Sequence, residues 1–503
     1  MEIKQKRGRR QLDKKIEMSI KIILNKFKKS KMKKIVLAVL VLVSGMQVTA
    51  QSSKKDKKVK QKQVADQKQT LSQKPNIIYI LADDLGIGDI STYGGDLYKT
   101  PNIDKLAKNG MLFNNAYTLP LCGPSRATIL TGRYGFRTSA VNQDNVTKIK
   151  PTDEILTPSI LRPVGYTSTM VGKWSQFQLT PKDFGFDDYI TFKGSGVYWN
   201  KQGKKPEPYF ENGENKILKD NEYMPDLVHD HLVKFLVANK NKPFFVHYAM
   251  VHVHGEIQRT PNSKGGEADW YKDNITYMDN LVGKLMSVLD SLKLMENTLV
   301  IFMGDNGTAG QNAAKNTVNG KKLIGKKGTM EECGSLVPMI ANWPGKIAKN
   351  VVTKALIDAS DFVPTFADLT GATLPTNKKI DGKSFLPLLM GKSDKAREWI
   401  FIGLGKSWYA REAKYKLNRE GQLFDMRNAP FEERLVADYN NDKEAAAAYA
   451  RLKAVLDELS PEKGVLDDSL DGSGRHANNV KKKKEGDKGD KKKKNKADED
   501  NDQ

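Results

Sequence analysis

Three short apolar segments constrain the fold of this 503-residue chain more than any other feature of its sequence. They are residues 76–82, 243–249 and 297–303, which are rich in β-branched and aromatic side chains and have the length of buried strands. A helical pattern over residues 275–292 precedes the third segment. Alternating buried strands and helices predict an α/β fold with a large, mainly parallel central sheet flanked by helices. In such sheets, ligands bind at the carboxyl ends of the strands.

The last quarter of the chain has a different pattern of predicted strands and helices. Residues 399–404, 408–417 and 422–426 have the pattern of small antiparallel strands, and a helical pattern follows at 443–459. These segments predict a smaller C-terminal antiparallel-sheet subdomain over residues 396–470, beside a large domain over residues 75–395.

The positive charge of the chain is concentrated at its two ends. The formal net charge is +23, yet residues 1–74 alone contain 22 Lys or Arg and only five Asp or Glu, and residues 480–503 are also Lys-rich. The body between them carries little net charge, so the composition does not predict a nucleic-acid partner. Lysine-rich segments with few apolar residues cannot bury enough surface to fold. We therefore predict a disordered linker at residues 51–74 and a disordered tail at residues 471–503.

The first 50 residues have the features of a signal region. Lys31, Lys33 and Lys34 precede an apolar run at 35–43, and residues 48–50 offer small side chains to a signal peptidase. Met32 is a possible true start, in which case residues 1–31 are an over-extended gene model; otherwise they form a long charged n-region. The apolar run is shorter than the ~20 residues of a membrane span. The sequence predicts an exported protein, periplasmic or secreted, with no stable membrane span.

Four polar side chains follow two of the predicted strands. Asp83 and Asp84 end the first strand, and Asp305 and Asn306 end the segment at 297–303. Together they offer the hard oxygen donors that Ca²⁺ or Mg²⁺ prefers over the nitrogen and sulfur ligands of zinc. An acidic pair after a strand is also a common turn or helix cap, so each pair alone leaves both interpretations open.

Cys122 lies where a helix is expected to begin. Pro124 suits the first turn of a helix over residues 125–131, and the free N–H groups of such an end favour a negative charge. Arg126, one turn along, would then hold the nucleophile or the metal ligands. A buried cysteine before an ordinary helix is the alternative for Cys122. For Cys333, the other cysteine of the chain, the default is an inert thiol.

Several spaced motifs carry a family resemblance. Residues 122–126 (Cys-Gly-Pro-Ser-Arg), followed by Leu-Thr-Gly-Arg at 130–133, closely resemble the signature of the formylglycine-dependent sulfatases of the alkaline phosphatase superfamily. The resemblance extends from about residue 75 to residue 435. It includes the segments 83–84, 172–174, 185–187, 305–307, 337–338 and 343–345.

The resemblance implies an alkaline phosphatase-like fold and hydrolysis of sulfate esters. In this family a maturation enzyme oxidises the signature cysteine to formylglycine (3-oxoalanine), and the hydrate of that aldehyde attacks sulfur. Carried over by motif, it implies that the metal ligands are Asp83, Asp84, Asp305, Asn306 and modified Cys122. The expected cation is Ca²⁺, and Mg²⁺ is also compatible with the donors.

The same resemblance implies roles for four further side chains. Arg126 and Lys173 would stabilise the aldehyde hydrate and the charge of the sulfate. Lys327 matches the second sulfate-binding lysine of the family, although the adjacent Lys326 leaves the register open by one residue. His254 matches the histidine that protonates or orients the leaving oxygen.

This chain departs from the family after residues 172–174. Most members carry a second active-site histidine there, where this chain has Ser175. If residues 247–254 are extended, His252 and His254 share one face and His247 lies on the other. We therefore predict that His252 replaces the missing histidine and that His252 and Ser175 bind substrate.

Other side chains support weaker expectations. Tyr198, Trp199 and Trp270 would stack on sugar rings or serve only local packing. His229 and His231, two residues apart in a predicted helix, are expected to be surface residues.

The predicted function is hydrolysis of sulfate esters on a sulfated carbohydrate, with the maturation enzyme as a partner of the chain. One alternative is a phosphonate or phosphate ester hydrolase, because relatives use the same nucleophile and metal site for phosphorus. The other is a non-catalytic protein that binds polyanions, which the presence of Ser175 would favour.

Overall fold

The structure is a computed structural model that describes residues 74–174, 177–200, 205–465 and 467. The predicted signal region, residues 51–73 of the linker, Ser175 and the tail at 471–503 lie outside the described residues. Among the helices of the described part of the chain, none is long and apolar enough to span a membrane.

Strands form one large sheet, a small ribbon and a second sheet. They are β1 (Asn76–Ala82), β2 (Met111–Tyr117), β3 (Thr167–Lys173), β4 (Asp188–Phe192), β5 (Pro208–Glu211), β6 (Glu214–Ile217), β7 (Phe244–Ala249), β8 (Thr298–Gly304), β9 (Thr317–Val318), β10 (Lys321–Lys322), β11 (Leu336–Asn342), β12 (Val351–Asp358), β13 (Ile400–Leu404), β14 (Ser407–Arg411), β15 (Tyr415–Asn418), β16 (Leu423–Asp425) and β17 (Arg434–Leu435).

The large sheet has ten strands in the order β12-β2-β11-β8-β1-β7-β3-β4-β5-β6. The central strands β8, β1, β7, β3 and β4 are all parallel to their neighbours within that run. β11 is antiparallel to both β2 and β8, and β5 and β6 continue the far edge as antiparallel strands. The predicted mainly parallel sheet is confirmed, with an antiparallel strand inserted between parallel ones.

The described part of the chain also contains helices, several of which cover the two faces of this sheet. They are α1 (Pro101–Lys108), α2 (Cys122–Thr131), α3 (Gly135–Thr138), α4 (Thr157–Leu161), α5 (Met224–Asn239), α6 (Trp270–Ser291), α7 (Gly310–Lys315), α8 (Glu332–Ser335), α9 (Phe362–Thr370), α10 (Leu386–Leu389) and α11 (Lys443–Leu459).

Strand β1 shows how the core is divided between the two faces. Ile77 and Tyr79 pack in the cluster that includes residues of α2 and α9, whereas Ile78 and Ile80 pack with residues of α5 and α6. Successive side chains of a strand point to opposite faces, so a strand that is apolar at every position requires helices on both sides.

The second sheet is antiparallel, in the order β13-β14-β15-β16-β17, and α11 packs against it. The prediction of one strand over residues 408–417 was wrong. The chain reverses between β14 and β15, where the N–H of Glu412 donates to the carbonyl of Tyr415 at 2.9 Å. The helix predicted at 443–459 is confirmed, and Asp442 caps it by accepting the N–H groups of Glu444 and Ala445. The domain boundary near residue 395 stays a prediction.

The two histidines of α5 are buried, contrary to the expectation that they lie at the surface. Their helix packs on β3 and β4. His231 bridges β4 and β5, because its ring nitrogens lie 2.8 Å from Asp188 Oδ2 and 2.8 Å from Glu211 Oε1. Burial opposes the charged ring, but the two carboxylates outweigh it and raise the pKa of His231. His229 packs its ring against Tyr248.

A buried ion cluster joins β12 to the segment that enters the second sheet. Arg397 Nη1 lies 3.0 Å from Asp358 Oδ2 and 3.2 Å from Asp361 Oδ1, and all three side chains are at most 1% exposed. Burial, only partly offset by the charge of Arg397, raises the pKa of Asp361 to about 7.

We expect Arg397→Met to lower the free energy of unfolding by about 3–5 kcal/mol, because it leaves two buried carboxyl groups without their cation. Denaturant unfolding measures the loss. The matched control is Arg451→Met, whose ion pair with Glu412 is exposed and is expected to contribute less than about 1 kcal/mol. Equal losses in the two variants would contradict a structural role for the buried cluster.

Candidate active site

The four predicted oxygen donors meet at the carboxyl ends of β1 and β8. These strands are parallel neighbours with Ala82 opposite Gly304, so the residues that follow them emerge side by side. The N–H of Asp84 donates to Asp305 Oδ1 at 3.0 Å, and Asn306 Nδ2 donates to Asp84 Oδ1 at 2.9 Å. Asp84 adopts a left-handed φ of +59°, which turns the chain sharply at this point. The sheet topology therefore brings together the two pairs from distant parts of the sequence.

Arg126 and Lys173 form buried ion pairs with two of these carboxylates. Arg126 lies one turn into α2, and its Nε and Nη2 donate to Asp305 Oδ2 at 2.9 and 2.7 Å. Its Nη1 donates to the carbonyl oxygen of Lys173 at 3.2 Å, while Lys173 Nζ donates to Asp83 Oδ2 at 2.7 Å. The two-pronged guanidinium contact fixes orientation as well as charge.

The third carboxylate, Asp84, has a lysine and a histidine beside it. Lys327 Nζ donates to Asp84 Oδ2 at 2.8 Å, whereas Lys326 is exposed. Of the two lysines that the sequence left open, the geometry therefore favours Lys327. His254 Nε2 lies 3.8 Å from the same oxygen. Burial lowers the pKa of His254, although the charge of Asp83 opposes the shift.

The adjacent carboxyl groups have opposite pKa shifts. Burial favours neutral Asp83, but the charge of Lys173 and further cations outweigh it and hold the pKa of Asp83 below its usual value. Burial and the charge of Asp83 raise the pKa of Asp305 in spite of Arg126. A divalent cation between the two groups would favour the ionised form of both.

Two oxygens of this cluster have the environment of cation ligands. Asp83 Oδ1 and Asn306 Oδ1 are buried without a hydrogen-bond partner, which is costly unless another group satisfies them. Ligand atoms of Asp83, Asp305 and Cys122 lie within 4.8 Å of one another, as do those of Asp83, Asp84 and His254. The residues therefore fit a hard divalent cation held mainly by oxygen.

Cys122 is the first residue of α2, as its sequence context predicts. The side chain is 3% exposed. The hydroxyl of Ser125, in the first turn of α2, accepts the N–H of Leu119 and donates to the carbonyl of Leu119, both at 2.9 Å. These two bonds hold the segment that leads into the helix. The thiol thus lies at a helix amino end, beside Asp83 and Asp305.

Gln143 contacts Cys122 and was not found from the sequence. Its Nε2 lies 3.4 Å from Cys122 Sγ, and its Oε1 accepts the N–H of Gly123 at 3.0 Å. A glutamine in a loop 21 residues after the cysteine forms no motif with it, so the sequence alone offered no signal.

The ring of His252 does not join the cluster. It is fully buried among Tyr198, Tyr223 and Tyr277, and its Nε2 lies 3.0 Å from the hydroxyl of Tyr223. Burial lowers the pKa of His252 to about 3. Trp199 packs on Tyr223 and donates its indole N–H to a backbone carbonyl, so it and Tyr198 serve local packing. A role for His252 in the reaction stays a prediction.

Comparison with known proteins gives the family. The family model described as Sulfatase matches residues 75–372, which is more than half of the chain. The chain belongs to the sulfatase family. A second model, described as N-sulphoglucosamine sulphohydrolase, C-terminal, matches residues 323–462 of the chain.

Relatives and solved structures agree with this membership. N-acetylgalactosamine-6-sulfatase of Canis lupus familiaris is 32% identical over 350 residues, covering 63% of this chain and 66% of the relative, so the chain spans slightly less than two thirds of that protein. Arylsulfatase A of Homo sapiens is 32% identical over 366 residues, and the match covers 65% of this chain and 70% of that relative. The protein in the crystal structure of Ps i-CgsB in complex with k-i-k-neocarrahexaose is 30% identical, with a TM-score of 0.68. The match covers 77% of this chain and 93% of the chain in that structure.

Gly172, which precedes Lys173 in β3, has a φ of +103°, and a Cβ atom there would overlap the carbonyl oxygen of Ala249 in β7. We expect Gly172→Ala to lower the free energy of unfolding by about 3–5 kcal/mol, from strained backbone plus overlap. The control is Gly165→Ala, which has a φ of +91° with no atom within 4 Å and is expected to cost about 1–2 kcal/mol. Denaturant unfolding measures both costs. Equal losses in the two variants would show that the close approach of β3 and β7 does not contribute to the effect of the substitution on stability.

Proposed function

We propose that this protein hydrolyses sulfate esters with an oxygen nucleophile derived from Cys122. The supporting observation is the position of Cys122 Sγ, at a helix amino end and within 4.8 Å of ligand oxygens of Asp83 and Asp305. Membership of the sulfatase family agrees with this chemistry. A thiol cannot supply the attacking oxygen, so the proposal requires oxidation of Cys122 to formylglycine, whose hydrate provides the nucleophile.

We further propose Ca²⁺ as the cation, with Mg²⁺ compatible with the same donors. Asp83, Asp84, Asp305 and Asn306 would hold it, and the oxygens of Asp83 and Asn306 that lack a hydrogen-bond partner support this assignment. A bound divalent cation supplies positive charge that stabilises the developing charge on the sulfate oxygens.

The remaining side chains of the cluster would stabilise the charge of the sulfate group and assist the leaving alcohol. Arg126 orients Asp305 through two hydrogen bonds from one side, and Lys173 and Lys327 place ammonium groups at the cluster. These cations would attract the sulfate group and stabilise its charge in the transition state. His254, at the partly exposed edge of the cluster, is positioned to assist departure of the alcohol. The negative charge of bound sulfate would favour the protonated ring and so oppose the effect of burial.

A sulfated carbohydrate is the proposed substrate. One relative is named for a sulfated N-acetylgalactosamine, and the structure of Ps i-CgsB contains a neocarrahexaose. We also propose that the chain is exported, periplasmic or secreted, because residues 31–50 have the sequence of a signal region. A formylglycine-generating maturation enzyme is the partner that the nucleophile requires.

We expect protein purified from its natural source to contain formylglycine at residue 122 and to hydrolyse an aryl sulfate faster than the matched aryl phosphate. Cys122→Ala should reduce that turnover by at least about 10⁴-fold, because the nucleophile is lost. Peptide mass spectrometry and the two initial rates are the measurements. Faster phosphate hydrolysis would favour the phosphate or phosphonate ester alternative. An unmodified thiol with no turnover of either ester would favour a non-catalytic polyanion-binding protein.

We expect Ca²⁺ to raise the thermal stability of the chelator-treated protein, by about 2.7 kcal/mol in free energy when its concentration is 100 times the dissociation constant. Asp83→Asn should reduce this calcium-dependent increment, because it removes a charged ligand. Asp290→Asn, which changes an exposed carboxylate outside the cluster, should leave the increment intact. Differential scanning calorimetry with Ca²⁺ or Mg²⁺ also compares the two ions. A wild-type protein that responds to neither ion would contradict the cation site.

A further inference from the structure

Gln143 presents both ends of its amide to the amino end of α2. Gln143 Oε1 accepts the N–H of Gly123 at 3.0 Å, and Gln143 Nε2 lies 3.4 Å from Cys122 Sγ. The side chain is buried, with 5% of the residue exposed. A buried amide that contacts both the nucleophile residue and the next backbone N–H is well placed to fix the geometry of that side chain.

The orientation of the amide follows from its partners. A backbone N–H can only donate, so the amide atom facing Gly123 must be the acceptor Oε1. The opposite orientation would place two donors against each other. Nε2 therefore faces residue 122 and offers it a hydrogen-bond donor, whichever atom that residue carries.

The loop that carries Gln143 is held on both sides. Just before it, the carbonyl of Val141 accepts the N–H of Gly405, in the turn between β13 and β14, at 2.7 Å. Next to it, Asn142 Oδ1 accepts the N–H of Asn145 at 2.7 Å, and Asn142 Nδ2 donates to Asp467. These contacts limit the freedom of the Gln143 backbone and so the position of its amide.

We propose that Gln143 is the positioning residue for the nucleophile at residue 122, with Nε2 donating a hydrogen bond to an oxygen of the formylglycine hydrate while Oε1 stays on the N–H of Gly123. The inference rests on the proposed function, since it requires an oxidised residue 122. The amide carries no charge, so it orients the attacking group and does not remove its proton. This role differs from that of the missing histidine, which we expected His252 to replace. The ring of His252 lies in a pocket formed by Tyr198, Tyr223 and Tyr277, the tyrosine pocket.

Two variants separate positioning from simple capping of the helix. Gln143→Glu keeps an acceptor for the N–H of Gly123 but loses the donor toward residue 122. Gln143→Met keeps the length of the side chain and loses both. Gln422→Met, an exposed glutamine paired with Asn418, is the matched control. All proteins are purified in the full-length form, and rates are divided by the formylglycine content measured by mass spectrometry.

We expect both Gln143 variants to lower kcat for an aryl sulfate by about 100-fold, as expected when a reacting group is slightly misplaced. KM should change little in Gln143→Met, and the added charge should raise KM in Gln143→Glu. Thermal unfolding of Gln143→Glu should remain cooperative, at a lower midpoint than the wild type because the added carboxyl group is buried. Since Gln143→Glu retains the cap, it decides the question even if Gln143→Met fails to fold.

A second readout does not depend on turnover. In metal-free protein, an aminooxy probe should label the aldehyde at residue 122 several-fold faster in both variants, because losing the donor shifts the hydrate toward free aldehyde. Variants with wild-type kcat and labelling rate, beside an active wild type, would overturn the inference alone. An inactive wild type with an unmodified thiol would overturn the proposed function and this inference with it.

Discussion

The balance of charge at the ends of β1 and β8 is the constraint on which the rest of the site depends. Three carboxylates, of Asp83, Asp84 and Asp305, are buried there, and the N–H of Asp84 donates to Asp305. Such burial is unfavourable without compensating charge. Arg126, Lys173 and Lys327 supply that charge. Two oxygens, Asp83 Oδ1 and Asn306 Oδ1, remain without a hydrogen-bond partner and suit a cation. A divalent ion would therefore complete the charge balance that the protein cations begin.

The compensating cations come from three separate parts of the chain, and each is placed by a different element. α2 carries Arg126, the end of β3 carries Lys173, and a loop after β10 carries Lys327. The close contact of β3 with β7 at Gly172 fixes the position of Lys173 at the carboxyl end of β3. The site is consequently a property of the whole large sheet, because displacement of any one element would leave a buried carboxylate without its partner.

The sequence was informative where chemistry follows from local pattern. Parallel strands end at the same edge, so the meeting of Asp83 with Asp305 could be predicted, as could the place of Cys122 at a helix amino end. Contacts that depend on long-range packing could not. The antiparallel insertion of β11, the contacts of buried His231 with β4 and β5 and the approach of Gln143 to Cys122 all join segments with no shared periodicity or motif. His252 shows the same limit, because the chain leaves the extended conformation after β7 and its ring turns into the tyrosine pocket.

The anchoring of Asn142 by Asp467 has a consequence for biosynthesis. These residues are 325 positions apart, so the loop beside Cys122 cannot reach its final attachment until almost the whole described chain has been made. Ribosomes add about 5–20 residues per second, which corresponds to an interval of tens of seconds. During that interval the loop would not yet enclose the cysteine, which would be open to the proposed maturation enzyme, and later closure of the loop would bury the modified side chain.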